Sequence, residues 1–426
     1  MTPFRYLPHF CAVILTLAVW SAWTWHYGVV WTPDSFTYCA VARSLLAGEG
    51  LYTGLHYRSL VEVDSIMTYW PPGFPVLWAL VAGVLNRDPD QVVQMLCAGQ
   101  LVVAVVLLVE LIGRLNAGPR RYWLGLMVAL FSPLIWVCTR VWSEPLYLIV
   151  WLLQTLWLHR LIMGGGDPAR VWNRRLGFFA NGMLLGGFLW VRHAALPLLV
   201  LVPCLAVWGL AARSDTPRRE KIRSVGSLVF GAMVVSGVWA GISVSQSGHF
   251  GYAYAPNVAE TGALWDQLIR VIRGSFSHGL LPPHANDIAW FPWLVRGVTV
   301  VVLGAAWWGR RRWFHRNQSP PGARWLTGLL CLEAMTSLAF YWVARVEFHM
   351  DDPDPRLLLP TCMPLFVVVV GRLGGLLQSG GKIAAAGLAA FWACVVAAVA
   401  VQLPQMKTYG FFEQDRFSAM ADWVGN

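Results

Sequence analysis

Asp34-Ser35-Phe36-Thr37-Tyr38, with its continuations Ala42-Arg43-Ser44-Leu45-Leu46-Ala47-Gly48 and Tyr69-Trp70-Pro71-Pro72-Gly73-Phe74-Pro75, decides how the chain is read. It follows the first strongly apolar run and is the longest polar-rich interruption in the first half of the protein. Asp34 falls a few residues past that run, at the expected membrane–water boundary. Tyr38 is four residues on and shares its face if the piece is helical. A carboxylate, an aromatic and a double proline at a membrane rim suggest a site built against a bilayer. The competing reading is that Asp34 only N-caps a surface helix.

Working outward, the chain is 57% hydrophobic and 13% charged, with a mean hydropathy of +0.53. Soluble domains carry about 25% charged residues. Apolar runs of about 17–25 residues recur along the whole length, each long enough to cross a bilayer. The fold class is therefore an all-α polytopic membrane protein. The first run, Pro8–Tyr27, is too long for a signal-peptide core and reads as a retained anchor. The 8 cysteines are scattered through apolar runs with no metal-ligand spacing.

The net charge of +10 could suggest nucleic acid, but its distribution argues against that partner. Spans are expected at roughly 8–27, 91–113, 122–139, 144–161, 176–192, 194–212, 225–246, 291–309, 325–344, 357–377 and 383–404. This gives about 11 transmembrane helices, within a range of about 10–13. With the N-terminus inside, 20 of the 32 Lys and Arg fall in inner segments, among them Arg174, Arg175, Arg213 and Arg310. The only acids there are Asp167, Asp215 and Glu220. That asymmetry obeys the positive-inside rule. Counting 74–86 as a span would invert the next loops, so 36–47 and 74–86 are expected as juxtamembrane helices, with Pro71-Pro72 as the stiff break between them. Residues 1–404 then form a single transmembrane domain. It has a first large outer loop at 28–90, a second at 247–290, and a short outer tail at 405–426.

Under this topology the outer face collects the reactive side chains. It receives Asp34, then Arg140 and Glu144 in Thr139-Arg140-Val141-Trp142-Ser143-Glu144-Pro145, then Arg192-His193, and later Arg345, His349 and Arg356. Each has a structural alternative: Arg192 can snorkel, and Glu144-Pro145 can simply open a helix. Together they place acids and arginines at the mouths of different helices, a plausible pocket for an anionic lipid headgroup. Arginine suits that role because its planar fork grips phosphate oxygens bidentately. Tyr69, Trp70, His193 and His349 are candidates for lining the pocket. The run His349-Met350-Asp351-Asp352-Pro353-Asp354 could bind a divalent cation through oxygen ligands, or be a turn-rich exposed loop. Glu333 falls in mid-span, where an ionised carboxylate costs about 2.5 kcal/mol or more.

The array Asp34-x-x-x-Tyr38, Ala42 through Gly50, and Trp70-Pro71-Pro72-Gly73-Phe74-Pro75 resembles the first outer loop of GT-C-type membrane glycosyltransferases. Within these it is most similar to the family that holds the protein O-mannosyltransferases and the lipid A aminoarabinose transferases. Trp142-Ser143-Glu144-Pro145-Leu146, Gly182 through Arg192 and Arg356-Leu357-Leu358-Leu359-Pro360 are similar to that family's second acidic motif, its Gly-rich helix ending in Arg, and its late Arg-containing helix start. The resemblance covers roughly residues 1–375.

It implies a GT-C fold, a polyprenyl-phosphate-linked sugar as donor, an extracytoplasmic active site and inverting transfer to a glycan, lipid or protein. It makes Asp34 the general base, Tyr38 a site tyrosine, Glu144 the second acid, and Arg192 and Arg356 phosphate partners, with Arg345 beside them. No cofactor is required by this reading, although a divalent cation is compatible with it. A bacterial inner membrane with a periplasmic active site and C-terminus is the implied setting. The chain also departs from the family: Trp70 stands where the aminoarabinose transferases carry lysine, and Ser35 where the mannosyltransferases carry a second acid. The tail 405–426 is too short for the soluble domain of many relatives. Two other readings stand beside this one. A transporter or flippase would need inverted repeats and mid-membrane charges. A lipid-linked oligosaccharide polymerase or ligase would share the outer arginines.

Overall fold

The structure is a computed structural model, and it describes residues 6–25, 28–53, 65–66, 70–115, 122–126, 132–164, 171–214, 216–247, 321–347 and 355–378. The elements are α1 Leu7–Thr24, α2 Pro33–Leu46, β1 Tyr52–Thr53, β2 Ser65–Ile66, α3 Gly73–Leu85, α4 Pro89–Leu115 and α5 Ser132–Cys138. They continue with α6 Glu144–Met163, α7 Val171–Val191, α8 Leu198–Ala211, α9 Arg218–Ser247, α10 Pro321–Glu347 and α11 Pro355–Gln378. Short 3₁₀ turns occupy Trp123–Gly125 and His193–Ala195. The expected all-α class holds, with one addition: β1 and β2 form a two-residue antiparallel ladder inside the first large loop.

Among the described residues, α1, α4, α6, the segment His193–Ala211 and α9 are long and apolar enough to cross a membrane. Helices stand at the two positions expected for the juxtamembrane pair, as α2 and α3. Of the expected span 122–139, the structure describes the 3₁₀ turn at Trp123–Gly125 and the short α5; residues 127–131 lie outside the described residues. The expected spans 291–309 and 383–404, the loop 247–290 beyond Ser247 and the tail 405–426 lie outside the described residues.

The chain divides into two compact units, and α4 contributes its first twelve residues to one and the rest to the other. The first unit comprises residues 1–27, 101–139 and 256–410. There Trp20 donates its indole N–H to the Cys138 carbonyl at 2.9 Å, tying α1 to α5. The His9 ring lies 5.3 Å from that of Tyr122, and Arg114 bonds Glu110 at 3.1 Å one helical turn away. Helices α10 and α11 pack together, with Glu333 buried in α10.

The second unit comprises residues 28–100, 140–255 and 411–426. Its spine is the pair α7 and α9. A Cβ at Gly182 would collide with the Leu228 carbonyl, one at Gly186 with that of Ala232, and one at Gly231 with that of Phe179. Glycines four apart on one face let two backbones touch, which is how helices associate where no hydrophobic effect separates them from lipid. Trp190 locks the seam by donating its indole N–H to the Val235 carbonyl at 3.0 Å. Helix α6 lies against α7, with Asn181 Nδ2 donating to the Gln154 carbonyl at 3.2 Å in the buried interior.

Turn chemistry explains how the first loop folds onto this spine. Helix α2 ends in a left-handed Gly48 at φ +79°, with Glu49 N–H donating to the Ser44 carbonyl at 2.9 Å. An L side chain rarely adopts that conformation. Helix α3 ends at Asn86, φ 51°, in the same fashion. The Pro71-Pro72 break delivers Gly73 to the last turn of α7, where a Cβ would lie 2.5 Å from the Trp190 carbonyl oxygen.

Candidate active site

The site is built at the entry to α2. Thr32 is the N-cap in extended backbone, φ −126°, with Pro33 in the first turn presetting φ. Thr32 N–H donates to Ser35 Oγ at 2.9 Å, and the two hydroxyls lie 3.0 Å apart, closing a capping box. The cap is therefore Thr32. Asp34 stands inside the first turn and is only 7% exposed, so the reading of it as a surface cap does not hold. A carboxylate there is favoured by the positive end of the helix dipole.

Residues 140–143 run alongside this entry and are laced to it. Val141 N–H donates to the Val30 carbonyl at 3.1 Å, within a parallel bridge between Val30 and Arg140. Ser35 Oγ donates to the Val141 carbonyl at 2.9 Å. Trp142 Nε1 donates to Thr32 Oγ1 at 2.8 Å, and the Tyr38 hydroxyl reaches Ser143 Oγ at 3.5 Å. These links join segments more than a hundred residues apart in sequence, and they set Glu144, the first residue of α6, beside the Asp34 turn.

Glu144 forms an ion pair with Arg192, which follows directly on α7. The pair is largely buried: the carboxylate side chain is 6% exposed and the guanidinium 16%. Arg192 thus carries more than an interfacial snorkelling role, because removing one member of a buried pair leaves an uncompensated charge worth about 3–5 kcal/mol. Glu144 opens α6 with Pro145 behind it and also faces Arg192.

Tyr38 sits between these groups. Its ring meets Phe74 edge-on at 5.3 Å, which links α2 to α3. Burial pushes its hydroxyl well above the usual phenol range, and the negative charges of Asp34 and Glu144 push the same way, while Ser143 and Arg192 oppose them. The phenol is therefore a neutral hydrogen-bond donor at ordinary pH.

Of the expected site residues, Asp34, Tyr38, Glu144 and Arg192 come together in one unit. Trp70 is half-buried and opens the Pro71-Pro72-Gly73 turn, and His193 is half-buried at the start of the 3₁₀ turn after Arg192. Arg345 and Arg356 belong to α10 and α11 of the other unit, and their side chains, like Tyr69 and His349, lie outside the described part. Among the described residues, no group of three or more His, Cys, Asp or Glu side chains could hold a metal. The run Asp351-Asp352-Pro353-Asp354 is also outside them.

Sequence reasoning placed Arg140 on the outer face with Glu144 but gave it no specific role, and gave Ser143, Thr32 and Ser35 none. Arg140 is 5% exposed, and its guanidinium carbon lies 5.3 Å from the centre of the Trp142 ring. The signal for it was an arginine one helical repeat ahead of an acid that opens a helix. A cluster of two acids, an arginine and a phenol, mostly withdrawn from water, can accept a proton, hold an anion and orient a hydroxyl.

The architecture is the GT-C fold of integral membrane glycosyltransferases. ArnT from Cupriavidus metallidurans, solved bound to undecaprenyl phosphate, superposes with a TM-score of 0.50 at 15% identity over 87% of this chain and 60% of that one. The archaeal oligosaccharyltransferase AglB from Archaeoglobus fulgidus, in complex with an inhibitory peptide and a dolichol-phosphate, gives 0.54 at 10% identity over 94% and 56%. A second AglB structure, tethered to an acceptor peptide, gives 0.53 at 11% identity over 95% and 56%. The chain thus spans about three fifths of the length of these proteins. No protein-family model and no curated protein matches the sequence.

Proposed function

We propose that the protein transfers a sugar from a polyprenyl-phosphate-linked donor to an extracytoplasmic acceptor, with inversion at the anomeric carbon. The observation that carries this reading is the gathering of Asp34, Tyr38, Glu144 and Arg192 at one buried site within a GT-C fold. Two proteins of similar fold were solved with polyprenyl phosphates, undecaprenyl phosphate in one and a dolichol-phosphate in the other, which supports that donor class.

In the proposed step the acceptor hydroxyl attacks the anomeric carbon as its proton passes to the Asp34 carboxylate. The bond from that carbon to the phosphate oxygen breaks, and the lipid phosphate leaves with the electron pair. Proton transfer to a positioned carboxylate is worth about 10²–10⁴-fold in rate. The developing phosphate charge falls to Arg192, whose fixed guanidinium stabilises it most in a water-poor site. Tyr38, held neutral, orients a hydroxyl by donating to it. A polyprenyl tail would lie along the apolar helices, which accounts for placing such chemistry in a membrane.

The test is native mass spectrometry of detergent-purified Asp34→Asn, which should retain donor and fail to turn it over. A co-purifying polyprenyl-phosphate sugar supports the reading, and its mass names the sugar class. A polyprenyl pyrophosphate glycan would replace it with the polymerase or ligase reading. Ordinary phospholipid alone would count against it and return the transporter to consideration.

A further inference from the structure

In the structure, Arg192 is already occupied by an anion of the protein's own. Glu144 and Arg192 are the terminal residues of two adjoining antiparallel elements, one opening α6 and the other following α7. Their side chains meet as a buried ion pair. A phosphate and a carboxylate use the same two edges of a guanidinium, each as a planar or near-planar pair of acceptor oxygens. Two anions cannot hold the same edge at once, so a phosphate arriving at the edge Glu144 engages displaces it. Burial sharpens the competition, because a guanidinium out of water needs one anion and gains little from a second, mutually repelling one.

The surroundings allow Glu144 to yield. Its backbone is fixed by α6 and by the laced segment 140–143, while its side chain has three rotatable bonds. Released from Arg192, the carboxylate remains at the positive end of α6, next to Ser143, whose hydroxyl is 3.5 Å from that of Tyr38. Arg192 is held in place more firmly. Its N–H donates to the Phe188 carbonyl at 2.8 Å, and the preceding turn is clamped between Gly73 and the α9 seam.

We propose that Arg192 exchanges partners during the cycle: Glu144 holds it in the empty enzyme, and the phosphate of the lipid-linked donor displaces Glu144. This rests on the reading of the site as one that binds a polyprenyl phosphate. Glu144 is then a positioning residue that stands in for the phosphate, keeps the arginine paired and aimed between turnovers, and sets donor and product affinity. The released lipid phosphate is expelled by the same exchange running backwards.

The test is binding of undecaprenyl phosphate to the full-length detergent-purified chain, measured for wild type, Glu144→Gln, Arg192→Gln and the double variant, with folding checked by thermal unfolding. Removing the internal competitor should tighten Glu144→Gln by about fivefold or more, and removing the arginine should weaken Arg192→Gln by about tenfold. The double variant should bind like Arg192→Gln, since Glu144 acts only through that arginine. Glu144→Ala serves where Glu144→Gln does not fold. Equal or weaker binding by a folded Glu144 variant overturns the exchange while leaving the transferase reading intact. Absence of binding by all four folded chains overturns the donor reading itself.

Discussion

Gly73 faces the carbonyl of Trp190 so closely that a methyl group on its Cα would sit 2.5 Å from that oxygen. The contact joins the turn after Pro71-Pro72 to the residue two before Arg192, so the loop and Arg192 share one support. Backbone cannot give way as a flexible side chain would. Gly73→Ala should therefore push α3 off the end of α7, lowering stability by about 1–3 kcal/mol and activity by about tenfold or more. Thermal unfolding and initial rates with saturating donor check both. An unchanged melting temperature with unchanged rate would remove Gly73 from the support.

Trp142→Phe keeps the ring body and deletes the N–H that reaches Thr32. The lost bond is worth about 0.5–1.5 kcal/mol, and Thr32 loses one of the partners that fix the cap over Asp34. The expected result is a modest loss of stability and a larger fall in kcat than in donor binding, because Asp34, the proposed base, is misaimed while Arg192 is untouched. A rise in the donor KM with kcat unchanged would contradict this.

Tyr38 gives a pH signature. Its hydroxyl holds its proton more tightly in the folded chain than in the unfolded one. The stability it contributes is thus complete below about pH 10, the ordinary phenol value, and is lost as pH rises above it. Wild type should lose melting temperature more steeply above that pH than Tyr38→Phe does. Parallel curves for the two proteins would show that Tyr38 does not carry the effect.

The α7–α9 seam predicts a sharp size limit. Gly182→Ala and Gly186→Ala each put a methyl against backbone carbonyls, whereas Gly187→Ala meets nothing within 4 Å. The first two should cost about 1–3 kcal/mol each, and the third should stay within about 0.5 kcal/mol of wild type. Melting temperatures of the three purified variants decide the matter.

The apolar helices that the structure describes were legible because a bilayer demands length and apolarity and little else, and helices at the places of α2 and α3 were expected from the same reading. Asp34, Tyr38, Glu144 and Arg192 were legible because polar residues at the ends of apolar runs stand out. The lacing was not. Ser35, Thr32 and Ser143 look like ordinary turn and cap residues, and nothing local in Trp142 says that its N–H crosses to residue 32. Gly73 read as part of a turn motif, while its steric role depends on α7, a hundred residues later.

The lacing of residues 30–38 to residues 140–143 also bears on how the protein is made. A ribosome feeds the chain into the membrane from its N-terminus, so α2, with its buried acid, emerges about a hundred residues before the segment that latches it. Until that segment arrives, Thr32 and Ser35 can cap their helix but Asp34 has no Glu144 beside it and no Arg192 further on. Assembly of the reactive centre is consequently a late event of biogenesis, coupled to the insertion of α6 and α7. An insertion intermediate halted before residue 140 would hold a folded entry helix without Glu144 or Arg192.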